Sequence, residues 1–150
     1  MIRFIMAITM LLMAVPAAWA QDTIGFVKTV SGSATIVDSG KANTAQVGTP
    51  IKMGNTLKTG PKGAMGVTFN DNTVMSFGPD TELTVDEYLY SPGTGKLKFG
   101  TNISKGSMQV VSGVIAKLKP QAVTVKTPSA MIGCRGTRFL VKVEPSDGRE

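Results

Sequence analysis

The residues best suited by type to do chemistry lie in the segment MIGCRGTRFLVKV, from Met131 to Val143. It holds the chain's single cysteine, Cys134, between Gly133 and Gly136, with Arg135 and Arg138 close by. A thiol becomes a nucleophile or redox centre only when a cation, a helix N-terminus or a base helps it ionise. The arginines supply a cation. The chain, however, contains no histidine and no second cysteine. That removes Ser–His and Cys–His catalytic pairs, an internal disulfide, attached haem of the Cys-x-x-Cys-His type, and zinc sites with nitrogen or several sulfur ligands. Cys134 is therefore expected to fill a small apolar site in the interior, as free cysteines commonly do. Arg135-Gly136-Thr137 has two readings. It is either an anion cradle of guanidinium and backbone N–H groups, or a tight turn entering the last strand. In the turn, Gly133 and Gly136 would take backbone angles closed to other residues. Arg135 would then pair internally with Asp71, Asp80 or Glu82. The turn is the expectation, and no catalytic, metal or cofactor residue is assigned.

Two further segments imitate ligand loops and fail on their chemistry. Gly93-Thr94-Gly95-Lys96 lacks the first glycine and the closing Ser/Thr of a phosphate loop. Asp71 to Glu82 has the length of a calcium loop, but Met75 stands at a ligand position and no glycine at the sixth. The net charge of +6 is carried mostly by single lysines along the chain. The pairs Lys96/Lys98 and Lys117/Lys119 come closest to a cluster, with only Phe99 near them. A nucleic-acid groove interleaves basic and aromatic side chains, so no nucleic acid is expected as a partner.

The elements that must position these residues are short and β-like. The first twenty residues stand apart: Arg3, an apolar run from Phe4 to Val15, Pro16, and a small-x-small site at Ala18-Trp19-Ala20. This is the pattern of a secretory signal peptide cleaved after Ala20, too short for a membrane span. Residues 21–150 then form one domain, without a further membrane span. Glycine and proline interrupt it so often that the longest stretch free of both is Asp80 to Ser91, which leaves no room for long helices. One short helical turn fits Val114 to Leu118. Elsewhere apolar residues alternate between turn residues, as in Val67 and Phe69, then Asn70-Asp71-Asn72, then Met75 and Phe77, which reads as a β-hairpin. Leu97 with Phe99, Met108 to Val111, Val123 with Val125, and Phe139, Val141 and Val143 supply later strands. The expected fold is all-β: a single compact domain of short strands, either a β-sandwich or a β-roll or solenoid-like stack.

Assembled in order, these segments resemble the FecR domain, named after the ferric citrate regulator of Gram-negative bacteria. The matching residues are Gly25, Val27 and Gly32; Gly48, Ile51, Gly54-Asn55, Leu57 and Thr59-Gly60; Val67 through Asp71-Asn72-Thr73 to Phe77, Pro79, Thr81, Leu83 and Val85; then Thr127-Pro128 and Gly133-Cys134-Arg135-Gly136-Thr137 with Phe139 and Val141. Two positions depart from the family pattern. Asn72 stands where glycine is usual, and asparagine tolerates the left-handed conformation. Cys134 stands where valine is usual. The resemblance assigns Asp71, Asn72, Pro79, Gly133, Arg135, Gly136, Thr137 and Phe139 to turns and the core strand rather than to an active site.

The family's full-length regulators also carry an anti-sigma region and a membrane span. Here the domain follows a leader. The resemblance therefore implies an exported, non-enzymatic interaction or sensory module, periplasmic or secreted, that binds an envelope protein, and not control of a sigma factor. The alternative is a structural or accessory subunit of an envelope or extracellular assembly, with self-association. If the leader is read correctly, intact mass of protein recovered from the periplasm will correspond to a chain beginning at Gln21. Recovery of the uncut chain in the inner membrane would contradict it.

Overall fold

A computed structural model describes residues 23–133 and 138–144. The leader and the Cys134, Arg135, Gly136 and Thr137 positions lie outside the described residues. Twelve strands and one short helix are described: β1 (Thr23–Ser31), β2 (Ala34–Asp38), β3 (Lys41–Thr44), β4 (Pro50–Lys52), β5 (Thr56–Thr59), β6 (Ala64–Phe69), β7 (Val74–Phe77), β8 (Glu82–Ser91), β9 (Lys96–Val111), α1 (Val114–Leu118), β10 (Val123–Lys126), β11 (Met131–Gly133) and β12 (Arg138–Val143). The fold is all-β, as expected, and the helical turn falls where the sequence leaves room for it. No helix among the described residues is long and apolar enough to cross a membrane.

Turn chemistry accounts for the hairpins. β2 and β3 are joined by Ser39 and Gly40, at φ 50° and 82°. Two positive φ values give the tight turn whose twist matches that of its flanking strands. The β6–β7 hairpin turns through Asn72 at φ 68°, so asparagine does take the left-handed conformation in place of glycine. β8 and β9 are linked by a short 3-10 turn, Pro92–Thr94, ending at Gly95 with φ 70°.

The sheet is a single path, β3-β2-β5-β8-β9-β7-β6-β1-β4, with β10 and β12 also paired to β9 and β11 paired to β10. Every pairing is antiparallel except β9 with β10. The sheet curls on itself into a half-barrel. This decides between the two architectures that the alternation of the sequence allows. There are not two separate sheets, because one strand runs through both sides. Residues Lys96–Lys105 of β9 pair with β8, and residues Met108–Val111 pair with β7. The sequence reads Leu97–Phe99 and Met108–Val111 as separate strands, and the structure joins them into one of 16 residues. The curl brings the alternating apolar residues of both sides together. Phe69 of β6 packs edge-on against Phe99 of β9 with ring centroids 4.8 Å apart, and stacks on Tyr88 of β8 at 5.7 Å. Tyr88 completes the triangle with Phe99 at 5.1 Å. Each such aromatic pair contributes about 0.5–1.5 kcal/mol beyond the area it buries.

Tyr88 reaches this core through a β-bulge. Up to Val85 the buried side chains of β8 are Leu83 and Val85; the ladder then shifts between Val85 and Glu87. One extra residue flips which side chains point inward, so Tyr88 and Tyr90 become the half-buried positions and Leu89 is exposed.

The junction between the two sides is Gly106. It sits at φ 95°, and a Cβ there would overlap Thr81. Lys105 is the last β9 residue paired with β8, and Gly106 is the first paired with β12. Thr81, 1% exposed, pins the bend. Its hydroxyl accepts the Ser107 N–H at 3.0 Å and lies 2.9 Å from the Gly78 carbonyl and 3.1 Å from that of Ser107. Its backbone N–H donates to Thr59 Oγ1 at 3.0 Å, and the Thr59 hydroxyl donates to the Gly78 carbonyl at 2.6 Å. Gly106→Ala is therefore expected to cost about 3 kcal/mol or more, through positive φ and backbone overlap together. Lys98→Val, at an exposed β9 position, should fall within about 0.5 kcal/mol of the parent. Thermal melts of the two variants check this, and equal melting points would refute the hinge.

Candidate interaction surface

The turn carrying Asp71 is organised by a buried carboxylate. Asp71 is fully buried. Its Oδ1 accepts the Thr73 N–H and the Tyr88 O–H, both at 3.2 Å. Its Oδ2 accepts the Thr73 hydroxyl at 2.8 Å and the Ile115 N–H at 3.2 Å. The Asp71 N–H donates to the Tyr88 oxygen at 2.9 Å, and its carbonyl accepts the Val114 N–H at 2.7 Å. The Thr73 hydroxyl also accepts the Gly113 N–H at 3.2 Å. One residue thus joins the β6–β7 turn to β8 and to the start of α1. A buried charge requires this density of donors. Burial pushes the Tyr88 phenol well above the ordinary tyrosine range, and the facing Asp71 charge adds to the effect.

The residues singled out by sequence take the following places. Asp71 is the hub just described, and Asn72 makes the left-handed turn beside it. Asp71 was one of three expected partners for Arg135, which lies outside the described residues with Gly136 and Thr137; four donors already converge on its carboxylate. Of the other two, Asp80 is exposed in a turn at φ 52°, and Glu82 lies 3.8 Å from Lys58. Pro79 is exposed in the β7–β8 turn, next to the Gly78 carbonyl that Thr59 and Thr81 share. Gly133 does not take the restricted angle expected of it. It ends β11 opposite Thr124, and open space stands where its Cβ would be. Phe139 lies in β12, half-buried and packed against the core.

Sequence reasoning missed the role of Tyr88, Thr81 and Gly106. Thr81 carried a signal, since it lies in the same motif segment as Pro79 and Leu83. Tyr88 carried none, because the bulge that turns it inward cannot be read from alternation.

Sheet edges are one surface that the described residues leave open to other molecules. β4 is a short edge that contains Pro50, and β11 has only three residues. Short strands and proline both discourage strand addition. β3 differs: all four of its residues are exposed, and among the described residues it pairs only with β2. In an antiparallel hairpin closed by a two-residue turn, alternate residues direct N–H and C=O groups across the ladder and outward. Asp38 and Lys41 close the turn, so Ala42 and Thr44 present their backbone groups to the outside. β12, the fourth edge, pairs only with β9 among the described residues and exposes Leu140. A groove of about 500 Å³ opens beside it, between Leu140–Glu144 and the Thr127–Ser129 turn. Lys142 sits on β12, whereas Lys98 is opposite Leu89 within the sheet and pairs with Glu87 at 3.1 Å.

Comparison with known proteins gives two matches. The family model described as FecR protein matches residues 55–149. The match opens at Asn55, so the Gly25 to Gly54 part of the motif series lies outside it. A solved chain described as a cell surface anchoring domain is 32% identical, over 41% of this chain and 82% of that one, with a TM-score of 0.39. No curated protein matches.

Asp71→Asn places a donor where Oδ1 or Oδ2 accepts two hydrogen bonds, and should cost about 2–3 kcal/mol in denaturant unfolding. Tyr88→Phe should cost about 1.5 kcal/mol. The pH dependence follows from the raised phenol. The unfolded chain ionises Tyr88 near the ordinary value of about 10, while the folded chain holds the proton. Its stabilisation is therefore complete below about pH 10 and is lost as pH rises beyond that. In a Tyr90→Phe background, tyrosinate absorbance should appear together with unfolding, and Tyr88→Phe should flatten the alkaline loss of stability.

Proposed function

Because this chain belongs to the FecR protein family, we propose that it works as an exported, non-enzymatic binding module of the cell envelope. In this reading it captures a strand of another envelope protein on the open edge of β3. The observation that carries the reading is that edge itself: four exposed residues, no proline, and small side chains at Ala42 and Thr44, whose backbone groups face outward. An added strand gains main-chain hydrogen bonds from such an edge and selectivity from alternate side chains. The leader-like first twenty residues and the lack of any histidine support export and a role without turnover. The buried Asp71 and Thr81 networks serve this function by holding the sheet rigid, so that little ordering cost falls on the binding step.

Ala42→Pro tests the reading. Proline removes an outward N–H and leaves the ladder bonds to β2 in place. The variant should melt like the parent and lose its crosslinks to a heterologous envelope protein in intact cells. Unchanged crosslinking would exclude β3 as the docking edge. A turnover activity that survives purification would overturn the non-enzymatic reading.

A further inference from the structure

We propose that β12 is a self-pairing edge, through which two copies of this chain join antiparallel about a two-fold axis at Val141. This goes beyond partner binding at β3 and uses a different edge, so either reading can fail without the other.

Among the described residues, β12 has a neighbour on one side only, β9. Its side chains divide cleanly. Val141 is buried and Phe139 and Val143 are half-buried against the core, whereas Arg138, Leu140 and Lys142 are exposed, Leu140 to 71%. A second strand that continues the sheet must set core-facing residues beside core-facing residues. Antiparallel self-pairing satisfies this when it is centred on a residue. Centring on Val141 places Arg138 opposite Glu144, Phe139 opposite Val143, and Leu140 opposite Lys142. Opposite charges then meet at both ends of the pairing, and the lysine stem lies along leucine. Moving the centre to Leu140 sets Arg138 against Lys142, and moving it to Lys142 sets that lysine against its own copy. Like charges directly opposite destabilise a strand pair, so the strand's own charges select the Val141 register.

Two further observations favour a second copy as the occupant. Among the described residues, Arg138 has no ion-pair partner and Glu144 pairs only with Lys142, at 3.4 Å, with both side chains more than two-thirds exposed. Such a pair is weakly held, so Glu144 is free to reach across to Arg138 of a partner copy. Phe139 and Val143, left incompletely covered at the sheet margin, each gain a facing apolar neighbour. A single strand pair buries little, on the order of 1,200 Å² in total or less. The dimer is therefore weak and depends on concentration.

Sedimentation equilibrium of the purified protein tests this. The parent should show a reversible monomer–dimer equilibrium that weakens as salt rises. Arg138→Glu alone and Glu144→Arg alone should each self-associate roughly tenfold more weakly, because each sets like charges face to face. An equal mixture of the two should recover the dimer, since both facing pairs become opposite in charge. Leu140→Glu should strengthen the dimer by facing Lys142, and Leu140→Lys should weaken it. All these positions are exposed, and melting points matching the parent's will show that the fold is intact. A parent that stays monomeric up to millimolar concentration would overturn the proposal. So would a dimer indifferent to both charge reversals, or a mixture no tighter than its components.

Discussion

The bend of β9 at Gly106 is the constraint on which the rest of the fold depends. One strand serves both sides of the curled sheet, so the angle at which it turns sets how the two sides face each other. That angle requires a backbone with positive φ lying against Thr81, which only glycine provides at low cost. Thr81 and Thr59 then satisfy the backbone groups of Gly78 and Ser107 that the bend would otherwise leave unpaired. The aromatic triangle of Phe69, Tyr88 and Phe99 forms across the resulting interior. It follows from the bend; without it, the side holding Phe69 would not meet the side holding Tyr88 and Phe99.

The Asp71 network solves a second problem in the same interior. The β6–β7 turn, the end of β9 and the short helix converge there, and each leaves N–H groups without ladder partners. A carboxylate accepts several of them at once, where a neutral side chain would accept fewer. The cost is a charge held without water, and the four converging donors offset it. The same site keeps the Tyr88 phenol protonated, since ionising it would place a second negative charge beside the first. Both networks use short polar side chains in turns rather than ion pairs. The ion pairs of the described residues all lie at the surface, where they contribute little.

The edges show how the fold divides its surface. β4 is blunted by Pro50 and β11 by its length, so neither offers a long template. β3 and β12 are open in different ways. β3 is polar, small and exposed on both faces, suited to a strand of another sequence. β12 has one apolar and one charged face, and its charges read sensibly against a second copy of themselves. An all-β domain that does not close must leave edges, and here two of them carry distinct chemistry.

Much of the fold was legible in the sequence because it depends on local rules. The alternation of Val67, Phe69, Met75 and Phe77 around Asn70-Asp71-Asn72 specifies a hairpin wherever it occurs. Frequent glycine and proline exclude long helices, and Val114 to Leu118 is the one place where a helical turn fits. The motif series likewise marked Asp71, Asn72 and Pro79 as turn residues. What the sequence could not decide is what distant segments do to one another. It read β9 as two strands, Leu97 with Phe99 and Met108 to Val111, and only the contact of Gly106 with Thr81, 25 residues earlier, makes a bend within one strand. It could not choose between sandwich and roll, because alternation states which residues face inward but not which sheet faces which. It could not separate edge strands from interior ones, because both share the same alternation. By itself the sequence determined strands and turns, which are functions of neighbouring residues, and the lack of histidine and of a second cysteine. The tertiary structure decided the curl, the inward turn of Tyr88 and the identity of the free edges, because each depends on contacts between residues far apart in the chain.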